Sequence, residues 1–218
     1  MAKTSSWKYT LREIIIVIIG ITIAFSMNKC AESRSNTKLK EQYLTNLKSD
    51  IEADRLQLEN NIEAIDKKIK VCEQIIPVLN TNSQQGMSLL TNVFEIVEYE
   101  NFNSKKTTYL TLVNSGDLKL IEDFELKTAI QQHYSNYEEM ADDYIRHTSL
   151  IQDYLGNYLV NNADYDQMNQ GNSPFLDEIK LKNIVRALLQ SFVDKRTATQ
   201  EGVKSCDNVL ETLGEALN

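Results

Sequence analysis

The stretch Ile14–Met27, reading IIIVIIGITIAFSM, decides the fold. It is a run of 14 uncharged, mostly apolar and β-branched residues near the N-terminus, and nothing else in the chain matches its hydrophobicity. Fourteen residues fall short of the roughly 20 that cross a hydrocarbon core as a helix. Trp7, Tyr9, Thr10 and Leu11 extend the run backwards to about that length. Trp7 and Tyr9 suit the headgroup belt, towards which Lys8 and Arg12 can snorkel. Glu13 is the awkward residue. It reads first as an interfacial carboxylate paired with Arg12, and secondly as a proton or ion site. The expectation is an N-terminal anchor and transmembrane helix over residues 1–28, with Trp7, Arg12 and Glu13 at the interface.

Two rivals weigh less. A buried strand would sit among turn signals, not behind Lys3, Lys8 and Arg12. A cleaved signal peptide is suggested by Ala24-Phe25-Ser26, but the helical pattern runs on into a charged amphipathic stretch with no polar cleavage region, which favours a signal-anchor. Cys30 follows Met27-Asn28-Lys29, unlike a lipoprotein cysteine. Gly20 and Ala24 are four apart, as are Thr22 and Ser26, a spacing that lets two membrane helices approach closely. Lys and Arg nearly balance across the span, so orientation is weakly set; the short basic N-terminal tail favours an extracytoplasmic, periplasmic C-terminal domain.

The chain has 218 residues, enough for one modest domain, residues 29–218, beyond the anchor. Residues 1–34 carry five Lys/Arg against two Asp/Glu, so of the net charge of −8, residues 35–218 hold −11. An acidic domain without a basic, aromatic-studded patch argues against nucleic acid as a partner. Two prolines and seven glycines leave long uninterrupted stretches of helix formers. The expected fold class is all-α: a transmembrane helix continuing into an elongated antiparallel helical bundle or coiled coil of three long helices with a short helical cap.

The long helix over 29–82 shows a seam of Leu44, Leu47, Ile51, Leu58, Ile62, Ile65, Ile69, Cys72, Ile76 and Leu79, with an eleven-residue step from Ile51 to Ile62 that relaxes the supercoil. Pro77 removes a backbone donor near its end. A turn is expected at Asn80–Gly86 and the helical cap over 86–121, with Ser104 capping a short helix that Gly116 closes. A second long helix, 122–160, starts at the N-cap Asp123; its seam is Ile130, Tyr134, Tyr137, Ala141, Tyr144, Thr148, Ile151, Leu155 and Tyr158. Asn161–Asn172 reads as a polar loop. Ser173 and Pro174 then start a third helix over 173–217, with Val185, Leu189, Phe192, Arg196, Thr199, Val203, Cys206, Leu210, Leu213 and Leu217 on its seam. Arg196 there needs a carboxylate partner. Free buried thiols are the default for the cysteines. Cys72 and Cys206 are the one plausible intrachain disulfide, if the first and last helices run parallel.

Two patches resemble a known family. One is Arg12-Glu13-Ile14, Val17–Ile21 and Ile23-Ala24, then Asn28, Glu32, Tyr43-Leu44, Leu47-Lys48 and Asp50. The other is Asn114–Ile121, leading to Leu126 and Tyr134. Together they resemble an uncharacterised family of small single-pass membrane proteins common in Bacteroidota, in which a Trp usually stands where this chain has Cys30. The resemblance implies a bacterial inner (cytoplasmic) membrane protein with a helical soluble domain, and brings no activity, catalytic residue or cofactor.

A search for chemistry finds little. His133 and His147 have no third ligand nearby. Asn162-x-Asp164-x-Asp166 lacks the glycine and glutamate of a calcium loop, with Gln167 and Ser173 in their places. Ser115-Gly116 has no strand before it to make a nucleophile elbow. No catalytic residue, cofactor, metal or small-molecule substrate is expected. The leading expectation is a non-enzymatic scaffold or accessory subunit of a membrane protein complex, whose partners are the lipid bilayer and either a second copy of itself in a homo-oligomer or another membrane protein. A ligand-sensing input module built on the Tyr-lined seam is the alternative. An oligomeric effector or channel-associated subunit with Glu13 at its centre is a further one.

Overall fold

The computed structural model describes residues 4–79, 86–170 and 172–217. Residues 80–85 of the turn expected at Asn80–Gly86 and Lys3 lie outside the described residues, as does the side chain of Lys8. The first helix, α1 (Thr4–Val78), runs without interruption for 75 residues, about 110 Å at 1.5 Å per residue. Pro77 stands one residue from its end and so terminates the helix instead of bending it. Then come α2 (Gly86–Glu95), α3 (Thr107–Ser115), a 3-10 turn (Asp117–Leu120) and α4 (Phe124–Leu150). A wide π turn (Ile151–Gly156) carries α4 on into α5 (Asn157–Asn161), followed by α6 (Tyr165–Asn169) and α7 (Glu178–Leu217). Among the described residues there is no strand, only one isolated antiparallel bridge between Ala163 and Phe175.

Local chemistry sets the boundaries. The Asp123 carboxylate accepts from Glu125 N at 2.8 Å and Leu126 N at 3.1 Å, satisfying two orphan donors at the start of α4. Gly116, at φ 74°, closes α3 in the left-handed conformation that costs a side chain least when it has none. Two expected caps are corrected. Lys106, not Ser104, precedes α3, and no side chain caps it. The last helix begins at Glu178, where Asp177 accepts from Lys180 N at 2.9 Å; Ser173 and Pro174 belong to the bridge region, where Pro174 O accepts from Asp164 N at 2.7 Å.

The helix α7 runs antiparallel to both α1 and α4. Ile65–Leu79 of α1 share one apolar cluster with Leu181–Phe192 of α7, α2 and the π turn. Leu44–Leu58 share a second with Ala198–Leu213 and Leu126–Tyr144. The backbones of α1 and α4 approach each other closely almost nowhere. Their common side is filled by residues 98–121, which descend along α1 from Glu98 beside Lys68 to Asp117 beside Tyr43. So the stretch expected as a cap over 86–121 places only α2 at the end of the bundle, and the rest is a strap along its flank.

The seams are corrected in a consistent way. Asp54 (0 % exposed) and Asn61 (8 %) fill the supposed eleven-residue gap, so the 3-4 spacing of buried positions runs unbroken from Leu44 to Ile65. Ile75 replaces Ile76; Met140 and His147 replace Ala141 and Thr148; Leu188, Lys195, Gly202 and Val209 replace Leu189, Arg196, Val203 and Leu210. At each of these positions the pattern was read one residue late; at His147 and Lys195 the true inward side chain is polar.

The proposed Cys72–Cys206 disulfide is also corrected. All three cysteines are free. Because α1 and α7 are antiparallel, Asp207 meets Arg55, and Cys72 lies about 25 Å further along α1. Thiol titration of the unfolded protein prepared without reductant should find three thiols; two fewer would contradict the antiparallel arrangement. Gly202 lets the three long helices approach closely, since a Cβ there would meet Met140 Sδ at 2.9 Å and Leu58 Cδ1 at 3.2 Å. Gly202→Leu should lower stability in thermal or urea denaturation by about 1–3 kcal/mol, despite its better helix propensity.

Candidate functional site

The most unusual chemistry lies where the strap crosses the bundle. Its backbone has no ladder of its own between Glu98 and Lys106, so side chains satisfy it. Asp54 takes Lys105 N at 3.0 Å on each carboxylate oxygen. Asp50 accepts from Thr108 Oγ1 at 2.6 Å. Asn61 Nδ2 donates to Asn101 O and to the Tyr144 hydroxyl, both at 3.2 Å. Lys195 of α7, 0 % exposed, donates to Glu100 O at 2.7 Å and sits 4.3 Å over the Tyr144 ring. Lys68 pairs with Glu100 Oε1 at 2.7 Å and also donates to Glu98 O.

Burial sets the electrostatics. Desolvation raises Asp54 to about 6, opposed by the Lys105 amide and reinforced by Asp50. Desolvation lowers Lys195 to about 8; Glu100 opposes this and Lys68 adds to it. A charge so placed is retained only because its hydrogen bonds are made.

The tyrosines of the α4 seam are core rings with tethered hydroxyls: Tyr137 to Cys206 Sγ at 3.1 Å, Tyr144 to Thr199 Oγ1 at 3.0 Å, and Tyr158 to Asp177 O at 2.8 Å. Between strap and α4 runs a surface groove. Phe102, edge-on to Tyr137 at 4.9 Å, divides it into a cleft of about 280 Å³ beside Tyr109 and Tyr134 and one of about 520 Å³ beside Tyr99 and Tyr144.

Both histidines are buried on α4. His133 Nδ1 shares a hydrogen bond with Ser205 and His147 Nδ1 one with Ser191, each at 2.9 Å. The histidines are two heptads apart and so are the serines. Burial lowers His133 to about 4 and His147 to about 3; Lys195 and Lys68 add to the second shift. Among the described residues no group of three His, Cys, Asp or Glu could hold a metal. The Asp164 carboxylate accepts from Asp166 N, capping α6.

The anchor residues are not brought together with this cluster. Arg12, Glu13, Gly20, Thr22, Ala24 and Ser26 are all exposed, Trp7 is 77 % exposed, and Thr22 Oγ1 donates to Ile18 O at 2.8 Å. Among the described residues one helix, α1, is long and apolar enough to cross a membrane, and its apolar window is 0 % buried. Arg196, expected on the seam, lies beside it and pairs with Asp66 at 3.0 Å, whereas Lys195 takes the inward position. The signal that could have found Asp54 and Asn61 was there: both keep the 3-4 spacing through the apparent gap.

Residues 13–168 match the family of unknown function DUF6090, and the chain belongs to that family. No curated protein and no solved structure is detectably similar.

Two outcomes follow from the strap. Asp54→Ala leaves the Lys105 amide without its acceptor; it should cost about 1–3 kcal/mol and make residues 98–106 the first site of limited proteolysis. The pH dependence has a definite sign. Both histidines bind protons below about 6.5 when unfolded and only near 4 and 3 when folded, so their contribution is complete above 6.5 and is lost as pH falls. Asp54, raised to about 6, works oppositely: its contribution is present below its unfolded value and lost as pH rises through 6. Chemical denaturation should show net loss of stability from pH 6.5 to 4, and a steeper loss in Asp54→Asn.

Proposed function

We propose that the chain is a non-enzymatic, membrane-anchored scaffold or accessory subunit of a membrane protein complex, self-associating through its anchor. The observation that carries this reading is α1. Its first part is apolar and exposed on every side, as only a lipid or protein surround would tolerate, and its second part is a core element of the helical domain. At about 100° per residue, Gly20 and Ala24 fall on the side of α1 roughly opposite Leu44, Leu47 and Ile51. Two copies could therefore pack through that small-residue face with both domains turned outward, free of collision. The long 3-4 seams support an elongated, coiled-coil-like bundle of α1, α4 and α7 as the scaffold body. The basic N-terminal tail supports a bacterial cytoplasmic membrane with the domain outside.

Chemical crosslinking in native membranes, followed by purification and mass spectrometry, should give a defined oligomer or a stoichiometric membrane partner. In a background lacking the native cysteines, Ala24→Cys should crosslink on oxidation. A clean monomer with no partner would overturn the reading. The divided groove around Phe102 favours a second one, a ligand-sensing module; a small molecule that raises the melting temperature, and fails to do so in Phe102→Ala, would support it.

A further inference from the structure

The inward stripe of α1 does not stop where the bundle stops. Below Leu44 it continues as Lys40, Asn36, Ser33 and Lys29, at the same 3-4 spacing, and there it turns from apolar to polar. Residues 28–38 are exposed, and the helix enters the bundle near Leu39. Between Met27, the last residue of the apolar run, and Leu39 lies about 18 Å of helix. This polar stripe faces the 3-10 turn after α3, and the two walls enclose a cleft of about 390 Å³ that also presents Lys119, Glu32 and Glu122.

The charge here runs against that of the domain. Residues 35–218 are net −11, yet residues 28–40 carry four Lys/Arg against one Glu. In the cleft, among the described residues, Lys40 and Lys119 make no ion pair or hydrogen bond, and Lys29 makes only a cation–π contact with Phe25 at 5.1 Å. These cations come from two segments far apart in sequence and converge in a cleft where three lysines face Glu32 and Glu122, an excess of one positive charge on an acidic domain. The headgroup layer extends roughly 5–7 Å beyond the hydrocarbon edge. Lys29 lies within it, at the foot of the cleft. Lys40 lies above it, about two Debye lengths from the hydrocarbon edge, and lines the upper part of the same cleft with Lys119.

We propose that this cleft holds the phosphate-bearing headgroup of an anionic phospholipid from the leaflet beneath the bundle, with Lys29, Lys40 and Lys119 as its cationic walls and Ser33 and Asn36 as its neutral hydrogen-bonding floor. The proposal rests on the reading of α1 as a membrane anchor. The site would fix the depth and tilt of the domain above the bilayer, which an acidic body repelled by the same lipids does not do for itself.

The test uses the full chain in nanodiscs of equal parts phosphatidylglycerol and phosphatidylcholine, with retained lipids counted by native mass spectrometry. Wild type should keep phosphatidylglycerol in preference. The triple variant Lys29→Gln, Lys40→Gln, Lys119→Gln should lose at least about fivefold of that preference, the effect of one lysine near an anionic surface, with an unchanged melting temperature. Lys67→Gln, Lys70→Gln, Lys204→Gln, the same charge change at exposed positions elsewhere, should leave the preference intact. Equal loss in both variants, or none in the first, overturns the site. Competition by soluble glycerol phosphate as effective as the lipid also overturns it, because the ligand would then be a free anion. Failure of the anchor itself would be seen separately, as protein that alkaline carbonate extracts from membranes.

Discussion

Because α1 is continuous from Thr4 to Val78, whatever fixes one end of it fixes the other. A helix has no joint unless proline, glycine or a bulge provides one. Gly20 is a lone glycine with open space around it, and Pro77 comes too late to bend the rod. Rotation of the apolar part about its own axis must therefore turn the whole domain with it. The rigid element is also the one that α7, α2 and the strap pack against. That makes α1 the reference frame of the molecule, and it puts any information carried between the apolar segment and the domain into rotation, tilt or depth of a single rod.

The strap is the price of a bundle in which α1 and α4 do not meet. Two parallel helices kept apart by one antiparallel helix leave a trough, and backbone laid in a trough must have its amides and carbonyls satisfied. Asp54, Asn61 and Lys195 do this from inward positions that apolar side chains would otherwise occupy. Buried polar groups of this kind add little net stability, since desolvation offsets most of what their bonds contribute. Their effect is selective. A one-residue slip of the strap would leave a carboxylate, an amide and an ammonium buried without partners, so the strap has one register.

This arrangement explains which parts of the fold the sequence disclosed. Long helices were legible because helix formers run for scores of residues and prolines stand only at their ends. The caps at Asp123 and Gly116 were legible because their chemistry is local. The strap was not, since Asn101, Phe102 and Asn103 fell within the helical cap expected over 86–121 and their purpose lies in residues forty positions or more away, such as Asn61. Some seam positions failed because charge was taken as a sign of solvent. Asp54 and Lys195 were passed over in favour of gaps or neighbours, although Arg196 beside Lys195 had already been singled out as needing a carboxylate. The site was invisible for the same reason: it is built from backbone atoms of one segment and side chains of three others.

The paired His–Ser contacts between α4 and α7 extend the same logic. His133 with Ser205 and His147 with Ser191 place one identical polar pair at each of two levels, separated by two heptads on both helices. Repetition alone would permit slippage, since a shift of two heptads would match His133 to Ser191. That shift would move about 20 Å of α7 past α1 and set Lys195 and Asp66's partner Arg196 against the wrong levels of the strap. The repeat is thus harmless only because α1 and the strap are not repetitive. With both rings held neutral by burial, the described α4–α7 seam carries no charge of its own, and the buried Asp54 and Lys195 lie where α1 and α7 face the strap. The molecule separates its two tasks along α7: one face joins helices through neutral pairs, the other fixes register through charge.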